Sequence, residues 1–470
     1  MKNNKKLNIF LVLLIISISF FLLLAFSLDN DYFWHISAGK YMFNKGVLKY
    51  DVFSWYLKDK YWMSHEWLFE IIIYGLRKIF GSIHTIIYCF STLVSLLLIL
   101  FFTNKKNMVK NIPFTLIYLL LFSILSLGFI QVRPHMISNI FVALTIYFLY
   151  DLYNNKDSKK IYFLPVITIF WANIHGGSSN LSYIFCFIFL ICGLFSFKYK
   201  KIESNRVSKI QLKKYLLVMF LCMISICINI HGFKMFLYPY SNMLDTTMLN
   251  NISEWRNTSL SDPYHYIYYI FLLFILFTML FSDKKINFID FILFGFVSYL
   301  GLKSIRFWLY SPIIMNYIIF NYVNDRKLEK GTYMVLGTII IFLFSIYICN
   351  IKGINTIKYK INLNKDILNL IKKENPKRLY NMYDYGGELI YNDIDVFIDG
   401  RADLYTNYNY KDYLNISNLQ GDYIKVIDKY DFDYFLVSSK YPISTYLKYS
   451  DEYDVLYKNK DILLYKKIVN

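Results

Sequence analysis

Residues 66–80, Glu66-Trp67-Leu68-Phe69-Glu70-Ile71-Ile72-Ile73-Tyr74-Gly75-Leu76-Arg77-Lys78-Ile79-Phe80, decide how this chain is read. The stretch is helical in pattern and apolar enough to pass for a membrane span, yet it carries Glu66, Glu70, Arg77 and Lys78. Counted as a span, it puts every later basic loop on the side opposite to Lys2, Lys5 and Lys6. Laid flat on the outer surface as an amphipathic helix, it leaves those loops together with the N-terminus. Lys105, Lys106 and Lys110, then Lys156, Lys159 and Lys160, then 198–214, Lys284 with Lys285, and Arg326 with Lys327 and Lys330 all fall inside. That one-sidedness is what the positive-inside rule requires. Residues 65–80 are therefore read as a surface helix, and Gly81 separates it from the next span.

Outward from this segment, the apolar runs are Ile9–Leu28, Thr85–Phe102, Phe114–Ile130, Met136–Tyr150, Ile161–Asn173 and Leu181–Phe197. Tyr215–Ile230, Tyr266–Phe281, Phe288–Leu302, Phe307–Tyr322 and Thr332–Cys349 follow. Several fall short of the roughly 20 residues a straight span needs, so charge carries the orientation. The composition agrees: 56% of the 470 residues are hydrophobic and 20% aromatic, above what a soluble core uses. The net charge of +18 does not point to nucleic acid, because the lysines lie between apolar runs and not on one face or tail. The first run is longer than a signal-peptide core and lacks a small-residue cleavage site, so it reads as a retained span. The six cysteines lie in or beside apolar runs and form no cluster with histidine.

After Cys349 the chain turns rich in Tyr, Asp, Lys and Asn. Arg378–Met382, Asp395–Ile398 and Tyr434–Val437 read as strands, and Ile424–Lys429 and Ile443–Tyr449 as helices. Tyr453–Tyr457 and Ile462–Lys466 flank Asn459-Lys460-Asp461, a hairpin signal. The expected architecture is an α-helical polytopic membrane protein of about eleven spans over residues 1–354. It has a first outer loop at 29–64, the surface helix, and a small extracytoplasmic α/β domain at 355–470. The N-terminus is expected in the cytoplasm and the chain in the cell membrane.

Under this topology the unusual polar residues gather outside. The first outer loop opens with Asp29-Asn30-Asp31, continues through Trp34-His35 and Asp51, and closes with Trp62 and Ser64-His65-Glu66-Trp67. Later outer ends carry Arg133-Pro134-His135, Asn173-Ile174-His175-Gly176, Asn229-Ile230-His231-Gly232, Glu254-Trp255-Arg256, Lys303 and Arg306. Tryptophan at a helix end is an ordinary interfacial anchor, and a lone histidine there is ordinarily structural. Neither reading explains why the inner loops have lysines and almost no His, Trp or paired acids. Asp29 and Asp31, two residues apart where the first helix ends, suit a general base, a metal-ligand pair or a proton-coupling site; a solvated loop start is the bland alternative. Asp399-Gly400-Arg401 reads as a tight turn with an Arg–Asp pair, or as a contact for a ligand above the membrane.

A helix, an outer loop opening on paired acids, a surface helix and a second span together resemble the GT-C superfamily of polytopic glycosyltransferases. The chain is also similar to a bacterial family of GT-C-like membrane proteins over most of its length. The matching residues are Asp31-x-x-Trp34-His35 with Gly39 and Gly46, Asp51-x-Phe53-Ser54, Trp62-x-x-His65-Glu66-Trp67-Leu68, Arg133-Pro134-His135, Trp171-x-Asn173-x-His175-Gly176 and Glu254-Trp255. The tail adds Asn381-x-Tyr383-x-x-Gly386-Gly387 and Phe397-Ile398-Asp399-Gly400-Arg401-Ala402-Asp403. The surface helix departs from the Pro-rich, Tyr-Trp pattern of the aminoarabinose and protein-mannosyl transferases.

The resemblance implies inverting transfer of a sugar from a polyprenyl-phosphate-linked donor to a hydroxyl of a glycan, lipid or protein acceptor on the outer face. The acceptor proton would go to Asp29 or Asp31. Arg133, Lys303 and Arg306 are the cations suited to the leaving phosphate. Trp34, Trp62 and Trp67 suit stacking on sugar faces, and His35, His65, Glu66, His135, His175, His231, Glu254, Asp399 and Arg401 complete the expected substrate contacts. A divalent cation, Mg2+ or Mn2+, held by Asp31 and Glu66 is one reading of the acids. The rival classes are a lipid or solute transporter and a non-catalytic assembly protein reusing the fold.

Overall fold

The computed structural model describes residues 2–247, 252, 255–323 and 362–468. The expected span Thr332–Cys349 and the candidate contact Glu254 lie outside the described residues. Five helical stretches among those described are long and apolar enough to cross a membrane: Lys5–Leu23, Trp67–Lys110, Ile112–Phe129, His135–Asn154 and Pro263–Leu280. They are compatible with a membrane protein. The helices Leu164–Ile174, Leu181–Cys192, Lys209–Ile226, Phe288–Lys303 and Tyr310–Ile319 fall on five more of the expected runs, and each is shorter or more charged than those.

The chain divides into two compact units. A helical unit takes residues 2–27, 83–244, 252 and 255–323 of those described. A loop–tail unit takes 28–82, 245–247 and 362–468. The helical unit begins with helix α1 (Lys2–Leu23). The loop–tail unit begins with α2 (Asp31–Lys45) and α3 (Trp67–Phe80), and α4 (His84–Lys110) returns to the helical unit and packs on α1. Gly81, at φ +58°, and a single 3-10 turn break α3 from α4. The uncharged run from Thr85 belongs to α4, so the two halves of Trp67–Lys110 go to different units. Within the helical unit, the basic stretch 198–214 holds a hairpin of β1 (Phe197–Tyr199) and β2 (Ile202–Ser204), and β3 (Ile286–Asn287) pairs parallel to β2.

The loop–tail unit has its own apolar core, to which both of its chain segments contribute. Trp34, Met42, Leu57 and Trp62 from the loop share it with Tyr380, Phe397, Phe435 and Leu464 from the tail. Removing this surface from water is the main force holding loop to tail. The tail sheet runs β4 (Leu379–Asn381), β5 (Tyr434–Ser438), β7 (Ile462–Lys467) and β6 (Tyr453–Lys458), in that spatial order. β4 is parallel to β5, and the other pairs are antiparallel. The expected hairpin is β6–β7, and its turn is closed by the Asn459 N–H on the Ile462 carbonyl at 2.8 Å. The expected helices are Tyr423–Tyr430 and Pro442–Tyr449.

One expectation is corrected, and two segments are found to be helical. The first outer loop is not loop throughout: α2 occupies 15 of its residues. Asp31 in its first turn suits the helix dipole, and Gly46, at φ +91°, ends it by returning its N–H to Met42. Asp395–Ile398 is not a sheet strand. Val396 bridges to the loop through Trp55 and Phe53, and the amide of Asn381 takes the Phe397 N–H at 2.9 Å and donates to the Ile398 carbonyl at 2.8 Å. A side chain supplies the bonds that a neighbouring strand would otherwise make. Gly386-Gly387 open the helix Gly386–Tyr391. A Cβ at Gly386 would lie 2.3 Å from the Ile398 carbonyl, and one at Gly387 2.4 Å from the Asn30 carbonyl, so both glycines admit close backbone approach.

Candidate functional site

The loop–tail unit gathers Asp29, Asp31, Trp34, His35, His65, Glu66, Trp67, Asp399 and Arg401 from the expected site. Its polar centre follows from helix periodicity. Glu66, the residue preceding α3, and Glu70 lie four apart and therefore face the same way. His35 and Gly39 are likewise four apart on α2. A Cβ on Gly39 would lie 2.1 Å from the Glu70 carbonyl oxygen. Only a glycine lets α3 come this close, and the approach sets both acids against His35. His35 Nδ1 is 3.3 Å from Glu70 Oε1, and His35 Nε2 is 3.7 Å from Glu66 Oε2. One ligand atom from each of His35, Glu66 and Glu70 lies within 4.8 Å of the others, and all three residues are buried. One oxygen of Glu70, Oε2, is buried with no hydrogen-bond partner among the described residues.

His65 extends this cluster. Its Nε2 is 3.2 Å from Glu66 Oε1, and its Nδ1 is 3.6 Å from Asp403 Oδ2 of the tail. Burial opposes the charge on His65, but Glu66 and Asp403 outweigh it and raise the imidazole pKa to about 10. Burial, aided by the Glu66 charge, pushes the Glu70 carboxyl well above the usual carboxylate range.

Asp29 and Asp31 are not equivalent. Asp29 Oδ1 accepts the Tyr32 N–H at 3.2 Å, in the first turn of α2. Asp31 lies against the tail: a Cβ on Gly400 would meet its Oδ1 at 1.8 Å and Trp34 Nε1 at 2.8 Å. That indole N–H is buried and has no acceptor among the described residues. Trp67 packs partly buried against the core of the unit.

Asp399 and Arg401 form a saturated ion cluster. Arg401 is 1% exposed; its Nε donates to Asp399 Oδ1 at 2.8 Å and its Nη2 to Asp399 Oδ2 at 2.6 Å. Nη1 donates to Asp51 of the loop, and Trp62 and Phe53 cover the guanidinium at 4.7 and 5.1 Å. Burial works against this cation, and Asp399 and Asp51 overcome it, raising its pKa well above the ordinary arginine value. A ligand contact here would have to displace an existing bond.

The helical unit holds Arg133, His135, His175, His231 and Arg306. Here the two Asn-Ile-His segments are tied together, because Asn229 Nδ2 donates to Asn173 Oδ1 at 2.9 Å. Arg306 Nη2 is 3.2 Å from His175 Nε2, so that nitrogen accepts and the proton sits on Nδ1. Nδ1 then faces Ser138 Oγ at 2.7 Å and Ser178 Oγ at 2.9 Å, and both hydroxyls also accept from Trp171 Nε1. Trp255 lies over the Arg306 guanidinium at 5.1 Å. His135 Nε2 is 2.8 Å from the Phe129 carbonyl, which makes it a bonded helix-start residue. His231 is 8% exposed, and the Arg133 carbonyl takes the Tyr88 hydroxyl at 2.7 Å.

Gly39 stands among the matching residues of the sequence, whereas Glu70 and Ser138 are not among the expected site residues. Glu70, carried by the helix read as lying on the surface, is fully buried against α2. The four-residue spacings Glu66–Glu70 and His35–Gly39 were the available signal. No protein-family model matches the chain, and no curated protein is detectably similar to it.

Proposed function

We propose that the protein transfers a sugar from a polyprenyl-phosphate-linked donor to an acceptor hydroxyl at the outer face of the cell membrane. The N-terminus and basic loops lie in the cytoplasm and the loop–tail unit outside, by the positive-inside argument. The reaction class comes from the GT-C resemblance. The observation that supports it best is the placement of Asp31, which a loop and a tail 369 positions apart in sequence (400 − 31) bring against Gly400 and Trp34 in one compact unit.

Asp31 is the general base in this reading. Asp29 is engaged by the Tyr32 N–H and positions the start of α2. Asp31 takes the acceptor proton as the hydroxyl oxygen attacks the anomeric carbon; the carbon–oxygen bond to the lipid phosphate breaks, and the phosphate leaves with the electron pair. The Trp34 indole N–H offers a donor to a sugar hydroxyl at the same place.

Membranes carrying the protein, supplied with a panel of polyprenyl-phosphate-linked hexoses and pentoses, should release polyprenyl phosphate. Asp31→Asn should lower that release at least 100-fold with insertion unchanged, and Asp29→Asn less than 10-fold. Undiminished release by Asp31→Asn removes the base assignment. No release from any donor by the wild type removes the transferase reading.

A further inference from the structure

We propose that His35, Glu66 and Glu70 form a binding site for a divalent first-row transition cation, Mn2+ or Zn2+. The argument stands on the geometry of α2 and α3 and does not depend on the transferase reading. One nitrogen and two oxygens lie within 4.8 Å of one another, all on buried residues. Metal–ligand bonds of about 2.0–2.2 Å put neighbouring ligand atoms roughly 3–3.5 Å apart. Side-chain adjustment of about 1 Å closes that gap, and each glutamate has the rotamer freedom to make it.

The second observation is Glu70 Oε2, which is fully buried and has no hydrogen-bond partner among the described residues. A carboxylate oxygen left so is costly unless something cationic meets it. A divalent ion bound between the two carboxyl groups and the imidazole supplies that cationic partner. The site is also built, in that Gly39 exists where a Cβ would collide with the Glu70 backbone. Any side chain there would move α3 and its two acids away from His35.

The donor set decides the ion class. All-oxygen sites suit Mg2+ and Ca2+, whereas an imidazole beside two carboxylates suits Mn2+ or Zn2+. Three protein ligands leave at least one position for water or a substrate oxygen, as in catalytic rather than closed structural sites. His65, 3.2 Å from Glu66 Oε1 and 3.6 Å from Asp403, orients Glu66 from outside the set. The proposed site is centred on His35 and does not use Asp31.

The test uses the full-length chain in detergent, stripped with EDTA and re-equilibrated with Mn2+ or Zn2+ alone. Bound metal per chain and melting temperature are then measured. At least one ion should bind at one equivalent and raise the melting temperature. Glu70→Gln and His35→Gln should each bind less than a tenth as much at the concentration that saturates the wild type, and lose the thermal shift. Asp31→Asn should bind as the wild type does, which separates this site from the transferase base. A wild type that binds neither ion stoichiometrically overturns the proposal, and so does undiminished binding in either ligand variant. Should one variant fail to fold, the wild-type stoichiometry and the other variant still decide.

Discussion

Arg401 and Glu70 are ionisable side chains buried alike in the loop–tail unit, 1% and 0% exposed. Arg401 bonds Asp399 in bidentate fashion, reaches Asp51 from a segment 350 residues earlier, and is covered by aromatic rings. Glu70 has one long contact, to His35 at 3.3 Å, and an oxygen with no partner. Burying a charge is tolerable when its donors or acceptors are all met, and expensive when they are not. The first cluster is complete without a ligand and joins loop to tail. The second is incomplete, and its incompleteness is what makes it a place for a cation.

The comparison breaks most directly at Arg401. Arg401→Met leaves Asp399 and Asp51 buried without their cation, and should cost about 3–5 kcal/mol. Arg401→Lys should restore only part of this, because an ammonium lacks the planar fork. Thermal unfolding of the purified chain reads both. If Arg401→Met melts with the wild type, the cluster does not hold the unit together.

Gly39 tests the other side. Gly39→Ala places a methyl 2.1 Å from a backbone carbonyl and 2.9 Å from Tyr74 Cβ, neither of which can swing away. It should cost about 1–3 kcal/mol and abolish metal binding, measured by the same melts and metal analysis. Gly400→Ala is the informative contrast, since its methyl meets mainly the end of the Asp31 side chain, which can rotate. That variant should lose sugar transfer more than stability. Equal stability losses for the two alanines would mean that Asp31 is held as rigidly as a backbone.

Glu70→Gln in metal-free protein should change stability by less than about 1 kcal/mol in either direction. The amide keeps the size of the carboxyl group, which burial already holds toward its neutral form. A loss as large as that of Arg401→Met would show that Glu70 is part of a saturated network after all, and would erase the distinction between the clusters.

What the sequence discloses here follows from the range of the forces involved. Long apolar runs and lysine placement are local and additive, so Lys5–Leu23 and His135–Asn154 are legible from composition alone. The β6–β7 hairpin is legible because its turn chemistry lies between its strands. Asp395–Ile398 misleads because burial makes it apolar like a strand, while its bonding partner is the Asn381 side chain. α2 hides among the polar residues of a loop because its apolar face is covered by α3 and the tail, partners distant in sequence. Of the site, Asp31, His35, His65 and Glu66 stand out by residue type. Glu70 does not, because a glutamate four residues from another on an amphipathic helix is ordinarily solvated. Only the approach permitted by Gly39 turns it inward.

Glu388 lies between the two extremes and gives the smallest expected effect. It is 2% exposed, and both oxygens have partners: Oε1 takes the Asn362 N–H at 2.7 Å and Oε2 the Leu363 N–H at 2.9 Å. It therefore has the bonds that Glu70 lacks but not the cation that Asp399 has. Burial raises its pKa above the ordinary 4.5, and the two N–H bonds only partly offset this. A folded-state pKa above the unfolded one favours the protonated form on folding. The associated stability is fully present below pH 4.5 and is lost as pH rises through the folded pKa. Glu388→Gln is neutral throughout and adds a pH-independent offset for its changed hydrogen bonds. The difference in melting temperature, wild type minus Glu388→Gln, should therefore fall as pH rises above 4.5 through the folded pKa and then level off. A difference that grows with pH would mean that the two N–H bonds outweigh burial. Glu388 would then belong with the saturated cluster, and two backbone donors would suffice to settle a buried carboxylate in this unit without any cation.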